Sequence, residues 1–165
     1  VVVLGVDPGT AITGYGFIRE DEDALRAIAC GAITTPNDWP LPRRLAALHA
    51  ELGRLIVLHR PASAAVEQLF FSRNARSALA VGHARGVILL ALAQAGVPVV
   101  EYTPLEVKQA VAGYGRADKK QMQEMVRVLM GLPDIPRPDD VADALAVAIC
   151  HLHTSRIGEL VERSA

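Results

Sequence analysis

The sequence predicts an α/β fold: a five-stranded mixed sheet, three antiparallel strands followed by two parallel ones, with helices on both faces. Three features of the chain carry this. Short apolar runs, the first rich in β-branched residues, alternate with helical patterns along the chain, and stretches of helical length separate the later ones. The first three runs follow one another through short turns, which suits an antiparallel meander, whereas the last two are reached only through helix-length connections, as parallel pairing requires. Two of the runs, 1–7 and 63–67, end on a carboxylate.

Val1-Val2-Val3-Leu4-Gly5-Val6-Asp7 stops at an acid followed at once by Pro8-Gly9-Thr10, and reads as a central strand with a tight turn. Segments 12–19 and 25–34 pair antiparallel, with Asp21-Glu22-Asp23 as their turn. In a helix at 43–59, Leu45, Leu48, Leu52, Leu55 and Ile56 recur at helical spacing and make one apolar face. Strand 63–67 repeats the logic of the first, with Ser63-Ala64-Ala65-Val66 leading into Glu67. A long helix at 74–94, a strand at 97–102 and short helices near 104–112 and 118–130 follow. The last helix opens around Pro136-Arg137-Pro138-Asp139-Asp140, where proline and acids mark a helix start, and runs to about residue 154.

If strands 1–7 and 63–67 are parallel neighbours joined through helix 43–59, their carboxyl ends share one sheet edge and Asp7 and Glu67 sit side by side. Along the last helix Val141, Leu145, Ala148 and Leu152 form the core stripe. At about 100° per residue, Asp140 and Asp143 lie about 60° apart beside that stripe, so both can face the sheet edge. Asp139 points elsewhere and is set aside. Singly, a strand-end acid is an ordinary solvated turn residue, and first-turn acids are ordinary dipole partners. Together, four carboxylates raise one another's pKa unless a cation compensates. Asp7, Glu67, Asp140 and Asp143 are therefore read as a site for divalent metal ions.

At 165 residues and 51% hydrophobic content the chain has material for one domain, 1–165, with a real core. Cys30 and Cys150 are far apart and outside any CxxC pattern, which argues against a disulfide scaffold or a cysteine zinc site and favours a reducing cytoplasm. The histidines are scattered, apart from His151 and His153 in the last helix, and carry little weight as a metal site. No apolar run is expected to span a membrane, and the Val-rich start lacks the basic region and cleavage site of a signal peptide. Without an initiator Met, the chain is expected to be trimmed. A net charge of −1 does not announce a nucleic-acid binder, so any such binding needs a local basic face, with Asp21, Glu22 and Asp23 lying elsewhere.

The order of elements, with acids on the first and fourth strands and on the last helix, resembles the RNase H-like nuclease and integrase superfamily. Within it the chain is similar to the RuvC family of Holliday junction resolvases. The motifs that carry the resemblance are Gly5-Val6-Asp7-Pro8-Gly9-Thr10 with Thr13-Gly14-Tyr15-Gly16, Val66-Glu67-Gln68-Leu69-Phe70, Asn74-Ala75-Arg76-Ser77-Ala78, Val107-Lys108-Gln109-Ala110-Val111 and Asp140-Val141-Ala142-Asp143-Ala144-Leu145. They stand in family order over about residues 3 to 153.

The resemblance implies that Asp7, Glu67, Asp140 and Asp143 are the catalytic acids and hold two Mg²⁺ per subunit, with Mn²⁺ able to substitute. It implies symmetric paired nicks in four-way junction DNA during recombination and repair, leaving 5′-phosphate and 3′-hydroxyl ends. It further implies a homodimer, matching the junction's two-fold symmetry, and the branch-migration proteins RuvA and RuvB as partners. Phe70 stands where the family probes the junction centre with an aromatic, although an aromatic there could also plug the local core. Arg73 and Arg76 fall on the DNA side. Lys108 and Lys119 fall where the family has basic residues near the acids, and Lys120 and Arg116 thicken that patch. In the helix at 74–94, the small residues Ala78, Ala80, Gly82, Ala84 and Gly86, with Leu79, Val87 and Leu90, offer a dimer surface, some of which must instead pack on the sheet.

Three other readings compete. The Gly5–Thr10 motif is similar to the first phosphate loop of actin-like ATPases and sugar kinases, but the chain has neither the length for two such domains nor a second Gly-rich motif. A scaffold that had lost catalysis would lack one or more of the four acids. A nuclease for structured RNA shares the chemistry, and the Glu67 to Phe70 segment favours the junction enzyme over it.

Overall fold

The computed structural model describes residues 1–22, 24–68 and 75–164, and only the backbone of 75 and 157–164. Five strands, β1 (Val2–Asp7), β2 (Ile12–Asp21), β3 (Ala24–Thr34), β4 (Ser63–Glu67) and β5 (Val99–Tyr102), form one sheet in the order β3-β2-β1-β4-β5. The first three pair antiparallel, and β1–β4 and β4–β5 pair parallel, as the alternation of short turns and helical crossovers requires. Helices α1 (Leu41–His59) and α2 (Ala75–Gln94) cover one face; α3 (Pro104–Ala112), α4 (Lys119–Leu129) and α5 (Asp139–Ser164) cover the other.

Side chains alternate along each strand, so the two faces build separate cores. Leu4, Val6, Ala64 and Val66 pack with Leu48, Leu52, Ile88 and Leu92 of α1 and α2. Val3 and Ala65 belong to the opposite core, with Val141, Leu145, Ala148 and Ile149 of α5. Asp7 and Glu67 share the parity of Val3 and Ala65, so both acids point to the α5 face. Gly5 and Gly14 let the helix lie on the sheet: a Cβ on Gly5 would stand 2.1 Å from the Ala144 carbonyl oxygen, and one on Gly14 1.9 Å from that of Asp140.

Several boundaries move, each for a visible reason. β5 starts at Val99 rather than 97, because the Val97 N–H donates to the Leu92 carbonyl and Pro98 has no N–H to offer. α5 runs on past residue 154 to Ser164, because Thr154 and Ser155, which resemble a helix stop, instead donate their hydroxyls to the Cys150 and His151 carbonyls. The expectation about membrane spans is also corrected: Arg76–Gln94 is long and apolar enough to cross one, at a mean hydropathy of 1.4. Here its Ala84, Ile88, Ala91 and Leu92 are buried in the core beneath it.

His151 is buried on α5, only 4% exposed, with Ser63 Oγ and Tyr102 Oη each 2.8 Å from a ring nitrogen. A neutral ring, one nitrogen donating and the other accepting, satisfies both hydroxyl partners. Burial lowers its pKa below the usual 6.5. The unfolded chain therefore takes up the proton first, and stability falls as pH drops below 6.5 toward the folded value. Urea unfolding between pH 7 and 5 should show wild type losing stability faster than His151→Gln, by at most about 1.4 kcal/mol per pH unit. Parallel curves would remove His151 from the acid sensitivity.

Candidate active site

The β1–β4 register, with Val6 opposite Val66, brings Asp7 and Glu67 to one level at the carboxyl ends of adjacent strands. The turn after Asp7 is fixed by buried Thr13, whose hydroxyl donates to the Gly9 carbonyl at 2.6 Å. The strand end before the β4–α2 segment is fixed by Arg85 of α2, whose guanidinium donates to the Glu67 carbonyl at 2.6 Å and pairs with Glu101 at 2.5 Å. Sequence reasoning missed Arg85. Its only signal was an arginine interrupting an apolar helix.

Electrostatics show the four acids acting on one another. Burial, then Asp143, Asp140 and Glu67, push Asp7 up to about 8. Burial and Asp143 raise Glu67, with Lys108 close enough to offset part of the shift. Asp143 is raised mainly by burial, against the opposing charge of Lys119. The donor set is all oxygen, hard and crowded, which fits Mg²⁺ or Mn²⁺. Among the described residues, no three such side chains stand close enough to hold an ion as they lie. A lysine already engages Asp143.

That lysine is Lys119, in the first turn of α4 behind a capping box of Asp118 and Gln121. Its Nζ lies 3.2 Å from Asp139 and 3.9 Å from Asp143. Asp139 thus borders the site instead of pointing away, and the hydrogen bond from Lys119 holds its pKa below the usual carboxylate range. Glu67, Lys108, Lys119 and Asp143 line a cleft of about 220 Å³ floored by Val107, Val126 and Ala142. Lys120 does not join them; it lines a separate groove with Tyr114, Gln121, Glu124 and Met125, because consecutive helical residues point about 100° apart. Arg76 is exposed in the first turn of α2, and Arg116 is exposed just before α4. Phe70 and Arg73 lie outside the described residues.

A mixed sheet of this order, with acids at the ends of its two central parallel strands and on the helix across them, defines an RNase H-like enzyme fold. Comparison with known proteins narrows this. The family model for crossover junction endodeoxyribonuclease RuvC matches residues 3–151. The chain is 61% identical to the crossover junction endodeoxyribonuclease RuvC of Chloroflexus aurantiacus over 92% of this chain and 93% of that protein. It is 53% identical to the one from Syntrophomonas wolfei over 99% and 95%. Among solved structures, Thermus thermophilus RuvC in complex with Holliday junction substrate superposes with a TM-score of 0.90 at 39% identity, covering 95% of this chain and 96% of that one. The chain belongs to the RuvC family of crossover junction endodeoxyribonucleases.

Proposed function

We propose that this protein is a Holliday junction resolvase, a metal-dependent endonuclease that makes symmetric paired nicks across four-way DNA junctions in recombination and repair. The observation that carries this is the meeting of Asp7 and Glu67 with Asp140 and Asp143 where α5 crosses the edge of β1 and β4. These four would hold two divalent ions, which when bound supply an activated water and neutralise charge at the scissile phosphate. Lys108 and Lys119, on the walls of the same cleft, hold neighbouring phosphates. Lys119 exchanges its carboxylate partners for DNA as it does so. The products are 5′-phosphate and 3′-hydroxyl ends.

The same reading includes a homodimer, a cytoplasmic location and action with RuvA and RuvB. The outward side of α2 supports the dimer: Leu79 and Leu90 are 63% and 51% exposed, with Gly86 open between them, whereas Ala78 and Ala84 pack inward. A labelled mobile four-way junction and a linear duplex, incubated with protein and Mg²⁺ or Mn²⁺, test the activity. Paired nicks on the junction alone, abolished by EDTA, are expected. Tight junction binding without cleavage would instead indicate a scaffold.

A further inference from the structure

Lys108 and Lys119 both reach the acids from α3 and α4, on the β5 side of the sheet. On the β3 side, the same edge carries the 35–40 segment, because β3 ends at Thr34 opposite the start of β2 at Ile12. Hydrogen bonds tie this segment to the turn that follows Asp7. Thr35 donates its N–H to the Ala11 carbonyl at 3.1 Å and its hydroxyl to the Thr10 carbonyl at 2.6 Å, while Arg44 Nε donates to the Thr35 hydroxyl at 2.9 Å. One turn of chain away, the exposed Arg43 guanidinium stacks on Trp39, 3.7 Å from the ring centroid. Among the described residues neither Arg43 nor Arg44 has a carboxylate within ion-pair distance, Asp38 in the same segment included.

We propose that the Trp39–Arg43 stack is a second phosphate contact, which grips the backbone of the junction arm on the side of the cleavage point opposite Lys108 and Lys119. This rests on the junction-nuclease reading. An arginine already held over an indole loses little freedom when its free N–H groups meet a phosphate, and its planar fork suits that partner. The spacing fits: strands lie about 4.8 Å apart, so the end of β3 is about 10 Å from that of β1, or roughly three nucleotide steps of duplex at 3.4 Å each. A duplex laid along this sheet edge with its scissile phosphate at the acids reaches the end of β3, beside which α1 begins and carries Arg43. Without this contact the arm is held from one flank only and is free to pivot.

Trp39 is the only tryptophan in the chain, so its fluorescence reports on this place alone. The protein is titrated with a mobile four-way junction in EDTA, where no cleavage occurs, at several salt concentrations. Binding is read independently by anisotropy of a label on the DNA. Trp39 emission is expected to change with the same midpoint as the anisotropy. For Arg43→Ala, the slope of log Kd against log salt is expected to flatten by about 0.9, the share of one released counterion. An unmoved Trp39 emission on wild-type binding, or an unchanged slope in a variant with wild-type circular dichroism, overturns the contact while leaving the nuclease reading intact. Absence of junction binding by anisotropy overturns both.

Discussion

Asp7→Asn is expected to abolish metal-dependent nicking and, at the same time, to make the metal-free protein harder to unfold. The loss of cleavage should be on the order of 10³-fold or more, because metal-supplied charge stabilisation is worth several kcal/mol and each 1.36 kcal/mol is tenfold in rate. The gain in stability follows first from burial of the Asp7 carboxyl and then from repulsion by Asp143, Asp140 and Glu67. Asp7 keeps its proton in the folded metal-free protein up to about pH 8, whereas in the unfolded chain it ionises near 3.8. The unfolded state therefore binds fewer protons across that window, and wild-type stability falls as pH rises through it. At full deprotonation the penalty is on the order of 5 kcal/mol, which an uncharged amide does not incur. Urea unfolding in EDTA should show the Asn variant gaining on wild type from pH 5 to pH 8. Addition of Mn²⁺ should then raise the wild-type midpoint more than that of the variant, since binding to the folded state alone is stabilising. A variant less stable than wild type at pH 8 in EDTA would mean that the Asp7 carboxylate is neither desolvated nor crowded as described.

Gly14→Ala should be nearly as damaging, though it touches no carboxylate side chain. Its new Cβ would lie 1.9 Å from the Asp140 carbonyl oxygen, a backbone atom at the start of α5 that cannot rotate away. Either β2 or the helix must retreat. Overpacking a core costs about 1–3 kcal/mol, and a backbone clash belongs at or above the top of that range. The retreat also moves Asp140 and Asp143 away from Asp7, so cleavage should fall together with the denaturation midpoint. Gly53→Ala is the matched control. Gly53 lies inside α1 with open space around it, and the helix propensity of alanine should raise stability by roughly 0.5–1 kcal/mol. Equal stability of the two variants would show that α5 does not press on β2 as closely as described.

The four acids and the sheet were legible in the chain because each left a local mark. Asp7 and Glu67 each end a β-branched or small apolar run, and Asp140 and Asp143 flank a stripe of Val141, Leu145 and Ala148. Strand period and helix period then place them without further information. Lys108, Lys119 and Lys120 were all read through motif resemblance; the structure puts the first two on the cleft with Glu67 and Asp143 and Lys120 in a separate groove. A basic run in sequence does not say which of two adjacent lysines a helix turns inward.

Other features depend on partners remote in sequence and leave no local mark. Asp139 became part of the site's border only because α4 brings Lys119 to it. Arg85 steadies the Glu67 carbonyl from the next helix. Val97 left the strand because its N–H was already spent on Leu92, and the apolar length of 76–94, read as too short for a membrane span, lies over the sheet. By itself the sequence determined the order of elements, the parity that points Asp7 and Glu67 to one face, and the all-oxygen chemistry of the four acids, since these follow from short-range periodicity and side-chain chemistry. Only the tertiary structure decided how closely the acids crowd and which cations face them. Those depend on distances of a few ångströms between segments more than 130 residues apart, as between Asp7 and Asp140, where burial and Coulomb energy are set.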